Sequence, residues 1–138
     1  MASQLKVDTI TGVTTAGSVA VTGEGNSTTT NLQQGLAKAW AYSTVAASLT
    51  DSLNTSGGTD NGTGNYTIAF TNSFSNATYS VVITHEHGGA GGQTSCAYFE
   101  TLATGNFISH HEGVASGGST VHGARDFINC SQVTGDLA

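Results

Sequence analysis

TDNGTGNYTIAFTNSFSNATYSVVITH, residues 59–85, contains two runs in which every second residue is aromatic or β-branched. In the first, Tyr66, Ile68 and Phe70 alternate with Asn65, Thr67, Ala69 and Thr71. In the second, Tyr79, Val81 and Ile83 alternate with Ser80, Val82 and Thr84. A strand turns successive side chains to opposite faces, so each run predicts a strand with one core-facing side. Between the runs, Asn72, Ser73, Ser75 and Asn76 are turn formers, and asparagine tolerates left-handed backbone. Ahead of them, Asp60-Asn61-Gly62-Thr63-Gly64 predicts a tight turn in which glycine supplies positive φ. The expectation is a β-meander whose organising hairpin pairs the two runs.

Flanking segments carry the same signature. Trp40 and Tyr42, with Val45, open a strand, and residues 48–53 offer a weaker one. Cys96-Ala97-Tyr98-Phe99 predicts another, Phe107 and Ile108 lie in a strand ending at His110 and His111, and a last strand covers residues 126–133. Glycine-rich loops at 88–92 and 113–119 separate them. About six to eight short strands with regular turn signals predict a mainly β fold. The expected head, residues 43–138, is an antiparallel β-sandwich.

Residues 1–30 read as an extended β-arm, with a flexible tail as the alternative. Leu5, Val7, Ile10, Val13, Val19 and Val21 are short apolar beats between Thr-Gly and Ala-Gly-Ser punctuation. None is long enough to bury a core alone, so the arm needs neighbours to cover it. NLQQGLAKAW, residues 31–40, carries the one helical signal. Asn31 is an N-cap residue type and Gln34 completes a capping-box-like pair. Leu32, Leu36 and Trp40 recur at helical spacing, while Gly35 weakens the element by about 1 kcal/mol relative to alanine. A short helix and neck is predicted over residues 31–42. Its narrow stripe suits homotrimer contacts through Leu32, Leu36 and Trp40; docking on the chain's own β-domain is the alternative.

Charged residues make up 9% of the chain, against about 25% in an average globular protein. Ser, Thr, Asn and glycine dominate instead, which suits a β-rich extracellular or virion surface. Formal net charge is −6, and Lys6, Lys38 and Arg125 are the only cations. Nucleic-acid binding needs clustered Lys and Arg, so nucleic acid is not an expected partner. No apolar run approaches the roughly 20 residues of a membrane-spanning helix, so membrane insertion is not expected. The opening MASQLKVDTI has neither the basic segment nor the apolar region of a secretion signal. With this composition, that points to a virion assembled in the host cytoplasm. Cys96 and Cys130 lack the spacing of a metal or redox pair and read as small buried thiols; a disulfide between neighbouring strands stays open.

His85-Glu86-His87 is the sharpest candidate site. Spacing two on a strand puts both imidazoles on the apolar side begun by Tyr79, Val81 and Ile83. Three copies meeting on an axis would surround one transition-metal ion with imidazoles, making His85 and His87 the metal ligands. Exposed or hydrogen-bonded loop histidines are the alternative, and no other cofactor is expected. The loop from Gly88 to Gly92 lacks the Lys-Ser/Thr and helix of a phosphate cradle and reads as a connection carrying ligand contacts. His110-His111-Glu112 and His122 add histidines near loops. Ser109 or Ser119 with Asp126 permits the sketch of a hydrolytic triad, but no nucleophile elbow surrounds it. The sparse carboxylates give no acid/base pair for glycoside cleavage, and no enzyme activity is expected. Contact with a host-surface glycan or protein is assigned to His85, His87, Gly88, Gly91, His110, His111 and Glu112.

LKVDTITGVTTAGSVAVTGEG, NLQQGLAKAW and TDNGTGNYTIAFTNSFSNATYSV resemble fibre-type structural proteins of tailed bacteriophages, particularly marine and cyanobacterial phages. The closing run from Asp126 to Asp136 fits as well, while the segment from His85 to His122 resembles them least. The resemblance implies a homotrimeric virion appendage, with an N-terminal arm holding other virion proteins and a β-sandwich head. The expected function is a short trimeric tail fibre or tail tip contacting the host surface. A capsid-decoration or other virion-assembly protein is the alternative, favoured by the small size.

Overall fold

The computed structural model describes residues 5–12, 19–22, 29–86, 95–114 and 122–135. The chain divides into two compact units, Met1–Leu36 and Ala37–Ala138. In the first, β1 (Ala20–Thr22) and β2 (Thr29–Asn31) pair antiparallel, and α1 (Leu32–Gly35) follows directly. The Leu32 amide donates to the Val19 carbonyl at 2.8 Å. Of the apolar beats, Leu5, Val7, Ile10 and Val21 are 51% to 81% exposed, as is Leu36 at 54%; Val19 is half-buried, and Val13 lies outside the described residues.

The second unit is mainly β. Its strands are β3 (Ala39–Ser43), β4 (Leu49–Leu53), β5 (Thr55–Asp60), β6 (Asn65–Phe70), β7 (Ser80–Glu86), β8 (Ser95–Ala103), β9 (Asn106–Val114), β10 (His122–Ala124) and β11 (Ile128–Thr134). One antiparallel sheet runs β4-β3-β11-β7. In the other, β9 pairs with β8 and with β6, β6 pairs with β5, and β10 pairs with the far end of β9. Ala39, Ala41 and Val133 from the first sheet share one core with Ile68, Phe70 and Phe107 from the second, an arrangement like a β-sandwich. Phe74 and Tyr79, from the connection between the sheets, complete it. Burying each large side chain here stabilises the fold by roughly 1.5–3 kcal/mol.

Two expectations are corrected. The helix makes a single turn, and Trp40 lies in β3, not on a helical face with Leu32 and Leu36. Over residues 39–43 a period-two pattern wins: Ala39, Ala41 and Ser43 are buried, and Trp40 and Tyr42 are half-exposed. One helical turn is costly to nucleate, whereas β3 completes ladders to both β11 and β4. Strand structure therefore begins at Ala39, inside the stretch read as a neck.

The second correction concerns the hairpin. β6 and β7 are not partners: β6 pairs β5 and β9, while β7 pairs β11 in the other sheet. Residues 71–79 instead carry the chain from one sheet to the other. Phe74 and Tyr79, 2% and 6% exposed, pin that crossing into the core. The Tyr79 hydroxyl donates toward the Ala103 and Asn106 carbonyls, at 2.9 and 2.7 Å. Asn54 Oδ1 accepts from the Asn72 amide at 2.8 Å and ties down the start of the crossing.

The turn before β6 forms a different hairpin, β5–β6. Gly62 and Gly64 adopt φ of 120° and 72°, and Asp60 Oδ1 accepts from the Gly62 amide at 2.9 Å. A Cβ on Gly64 would stand 2.4 Å from the His111 carbonyl oxygen, so this position needs glycine for space as well as for conformation.

Candidate functional site

Histidines and serines meet inside the sandwich. On β9, Phe107, Ser109 and His111 point inward, and all three are fully buried. Asn129 of β11, 1% exposed, donates from Nδ2 to Ser109 Oγ at 2.9 Å and so links the two sheets. Ser109 Oγ and His111 Nε2 lie 3.3 Å apart within hydrogen-bond reach. His85 of β7 stacks on Phe127 at 4.6 Å between ring centroids and hydrogen-bonds Ser95 of β8 through Nε2. Its ring lies 5.8 Å from that of His111, and Tyr66 meets His111 edge-on at 5.3 Å.

Burial holds the His111 imidazole at a pKa of about 4, below its ordinary 6.5, with neighbouring His85 and His110 lowering it further. A charged imidazolium there would give up water and face a second histidine, so the neutral ring is favoured. Burial and the bond to Asp126 push the Tyr66 phenol well above its usual range.

This cluster is not a hydrolytic triad. Asp126 Oδ1 accepts from the Gly64 amide at 2.7 Å and from the Tyr66 hydroxyl at 3.0 Å. His111 Nδ1, where a triad carboxylate would bind, has no hydrogen-bond partner among the described residues. Asp126 thus fastens the β5–β6 turn to the approach of β11 and does not orient His111.

The residues named from sequence scatter accordingly. His87, Gly88 and Gly91 lie outside the described residues, as do the side chain of His122 and all of Ser119. His85 and His111 are turned into the sandwich, and His111, fully buried, is not a surface contact. His110 and Glu112 face outward on the five-stranded sheet, with His110 Nε2 and Glu112 Oε1 3.9 Å apart. There Tyr98 of β8 stacks on His110 at 5.2 Å and donates to Glu112 Oε1 at 3.3 Å. Asn65 Nδ2 donates to Glu100 at 3.2 Å beside them. Among the described residues, no group of three or more His, Cys, Asp or Glu is placed to hold a metal ion.

Cys96 and Cys130 are both free; Cys96 is exposed, which corrects its reading as a buried thiol. Cys130 is half-buried on the outer face of the four-stranded sheet. That face carries a feature the sequence reading passed over: an open concavity of about 400 Å³ lined by Trp40, Tyr42, Val82, Thr84, Cys130 and Gln132. The register explains it. Leu53, Trp40, Gln132 and Val82 form one row across the four strands, and Asp51, Tyr42, Cys130 and Thr84 form the next. The Tyr42 hydroxyl donates to Glu86 Oε2 at 2.8 Å, and that bond is the leading cause of a raised phenol pKa. Period-two reading outward from buried Ala39 and Ala41 was the available signal for this row.

Comparison with family models, with curated proteins and with solved structures returned no match.

Proposed function

We propose that the protein is a non-enzymatic structural component of a tailed-phage virion, a short homotrimeric tail fibre or tail-tip appendage whose β head meets the host surface. The observation that carries this reading is the contrast between the units. Residues 37–138 hold their own apolar core, while Leu5, Val7, Ile10, Val21 and Leu36 of the first unit are all more than half exposed. Apolar area left in water is worth roughly 25 cal/mol per Å² once covered, so such a segment favours assembly with copies of itself or other virion proteins. The resemblance of the arm and the 59–81 segment to phage fibre-type proteins points the same way.

Virions labelled at Ala138 test the reading directly. A label on the tail is the expected result; a label on the capsid supports the decoration reading, and an unlabelled particle overturns both. Deleting residues 1–30 should leave the head folded and abolish incorporation into virions. Light scattering of the intact protein should report a trimer, and a strict monomer both free and on the particle would sink the assembly argument. A metal shared by His85 and His87 across a trimer would require His85 to leave Phe127 and Ser95, so elemental analysis should find none; about one ion per three chains would revive that reading.

A further inference from the structure

We propose that the outer face of the β4-β3-β11-β7 sheet is a binding site for a neutral glycan, with Trp40 and Tyr42 as its stacking platform. Trp40 and Tyr42 are two residues apart on β3, so their rings rise from Cα atoms about 7 Å apart on one side of the sheet. Both are half-exposed although each is large and amphipathic, and they line the same open concavity. Its volume of about 400 Å³ falls in the roughly 300–1,000 Å³ range of small-ligand sites.

The lining alternates in chemistry across the strands, and that alternation selects the ligand. Ring faces and the Val82 side chain, 62% exposed, offer apolar contact. Gln132, in the same row as Trp40, offers an amide donor and an acceptor, and Thr84, in the row of Tyr42, offers a hydroxyl. Beside the lining, Asp51, paired with Tyr42, and Glu86, bonded to its hydroxyl, add only acceptors. A ligand that uses all of these has an apolar C–H face and a rim of hydroxyl donors, which describes a pyranose ring.

Among the described residues no basic side chain lines the concavity, and the chain as a whole carries −6, so a sulfated or carboxylated sugar is disfavoured. An organic cation is the competing class, since rings with carboxylates attract it. It would leave Gln132 and Thr84 unused, and both carboxylates already accept hydrogen bonds, Glu86 from Tyr42 and Asp51 from the Ser52 amide. The role of this site as a host contact rests on the function proposed above; the binding itself does not.

Trp40 is the only tryptophan, so its emission reports on this site alone. The intact protein is titrated with maltohexaose, mannohexaose, xylohexaose and chitohexaose, and with hexalysine as the cationic probe. The expected result is a saturable shift in Trp40 emission with at least one of the four sugars and none with hexalysine. Tyr42→Ala should weaken that sugar roughly tenfold, the loss of one stacking ring. Tyr42→Phe, which keeps the ring and drops the Glu86 bond, should retain most of the affinity. Tyr98→Ala, on the opposite sheet, should bind as the parent does. The proposal is overturned if no sugar shifts the emission, if hexalysine does so instead, or if Tyr98→Ala loses binding while folded Tyr42→Ala keeps it. Virion location is not read in this assay, so failure here and failure of the tail assignment remain separate results.

Discussion

The two ends of the sandwich interior differ although the same three strands build both. On β6 the inward residues pass from Phe70 and Ile68 to Tyr66; on β9 from Phe107 to Ser109 and His111; on β11 from Val133 to Ser131 and Asn129. One end is a dry aromatic cluster in which Phe70 contacts Phe74 at 4.8 Å and Tyr79 at 5.7 Å between centroids. The other end is equally buried but polar, and it ties sheet to sheet through Asn129–Ser109 and His85–Ser95. The apolar end supplies the bulk of the burial free energy. The polar end gains little net stability, because each bond made replaces one to water, yet an unmade bond there is costly. Ser43 Oγ, His111 Nδ1, Asn129 Oδ1 and Ser131 Oγ have no partner among the described residues, so the alignment of the sheets at this end rests on the two bonded pairs.

Four measurements would break or sharpen this contrast. The largest effect is expected from Phe107→Ala, which empties the dry end and should cost about 3–5 kcal/mol in urea unfolding; a loss under about 1 kcal/mol would mean that the aromatic cluster is not a core. Acid comes next. His111 titrates near 4 folded and near 6.5 unfolded, so the unfolded chain takes up the proton first as pH falls. Stability should therefore be intact above pH 6.5, fall progressively between 6.5 and 4, and level off about 3 kcal/mol lower. His111→Phe should flatten that limb, and an unchanged slope would show that other groups cause it.

Asn129→Ala should cost about 1–3 kcal/mol, because Ser109 loses a buried partner; double-mutant coupling with Ser109→Ala reads the sheet-to-sheet bond itself. The smallest effect belongs outside. Tyr98→Ala removes an exposed stack on His110 and should change stability by about 0.5 kcal/mol or less. A larger change would mean that the outer face of the five-stranded sheet is part of the scaffold.

Much of the strand inventory was legible in the chain. Alternation marks β6 and β7, while short apolar and aromatic clusters between turn signals mark parts of β3, β8, β9 and β11. β5 was not legible: TSGGTD has neither aliphatic nor aromatic residues. It is a strand because β6 needs a partner on that edge, and because Gly58 admits the Ala47 carbonyl oxygen, which would lie 2.1 Å from a Cβ. The helical reading of residues 31–42 held for one turn, Leu32–Gly35, and failed from Ala39 on, because a spacing of four and a spacing of two both fit so few residues. Of the candidate site, the facing of His85 followed from alternation, while the opposite facing of His110 and His111 was not read from the sequence. Nor was the concavity, since it needs residues from three strands far apart in sequence.

Residues 59–85 show the division most clearly. Their sequence determined two strands, which side of each is buried, and a glycine turn, because side-chain direction along a strand is set locally by a two-residue repeat. Which strands pair was decided only by the tertiary structure. Nothing local distinguishes a hairpin from a crossing between sheets; the difference lies in where Phe74 and Tyr79 find apolar neighbours and in which edges remain for β11 and β9 to fill. The same non-local pairing sets Trp40 and Tyr42 beside Gln132 and Thr84, and buries His111 against His85.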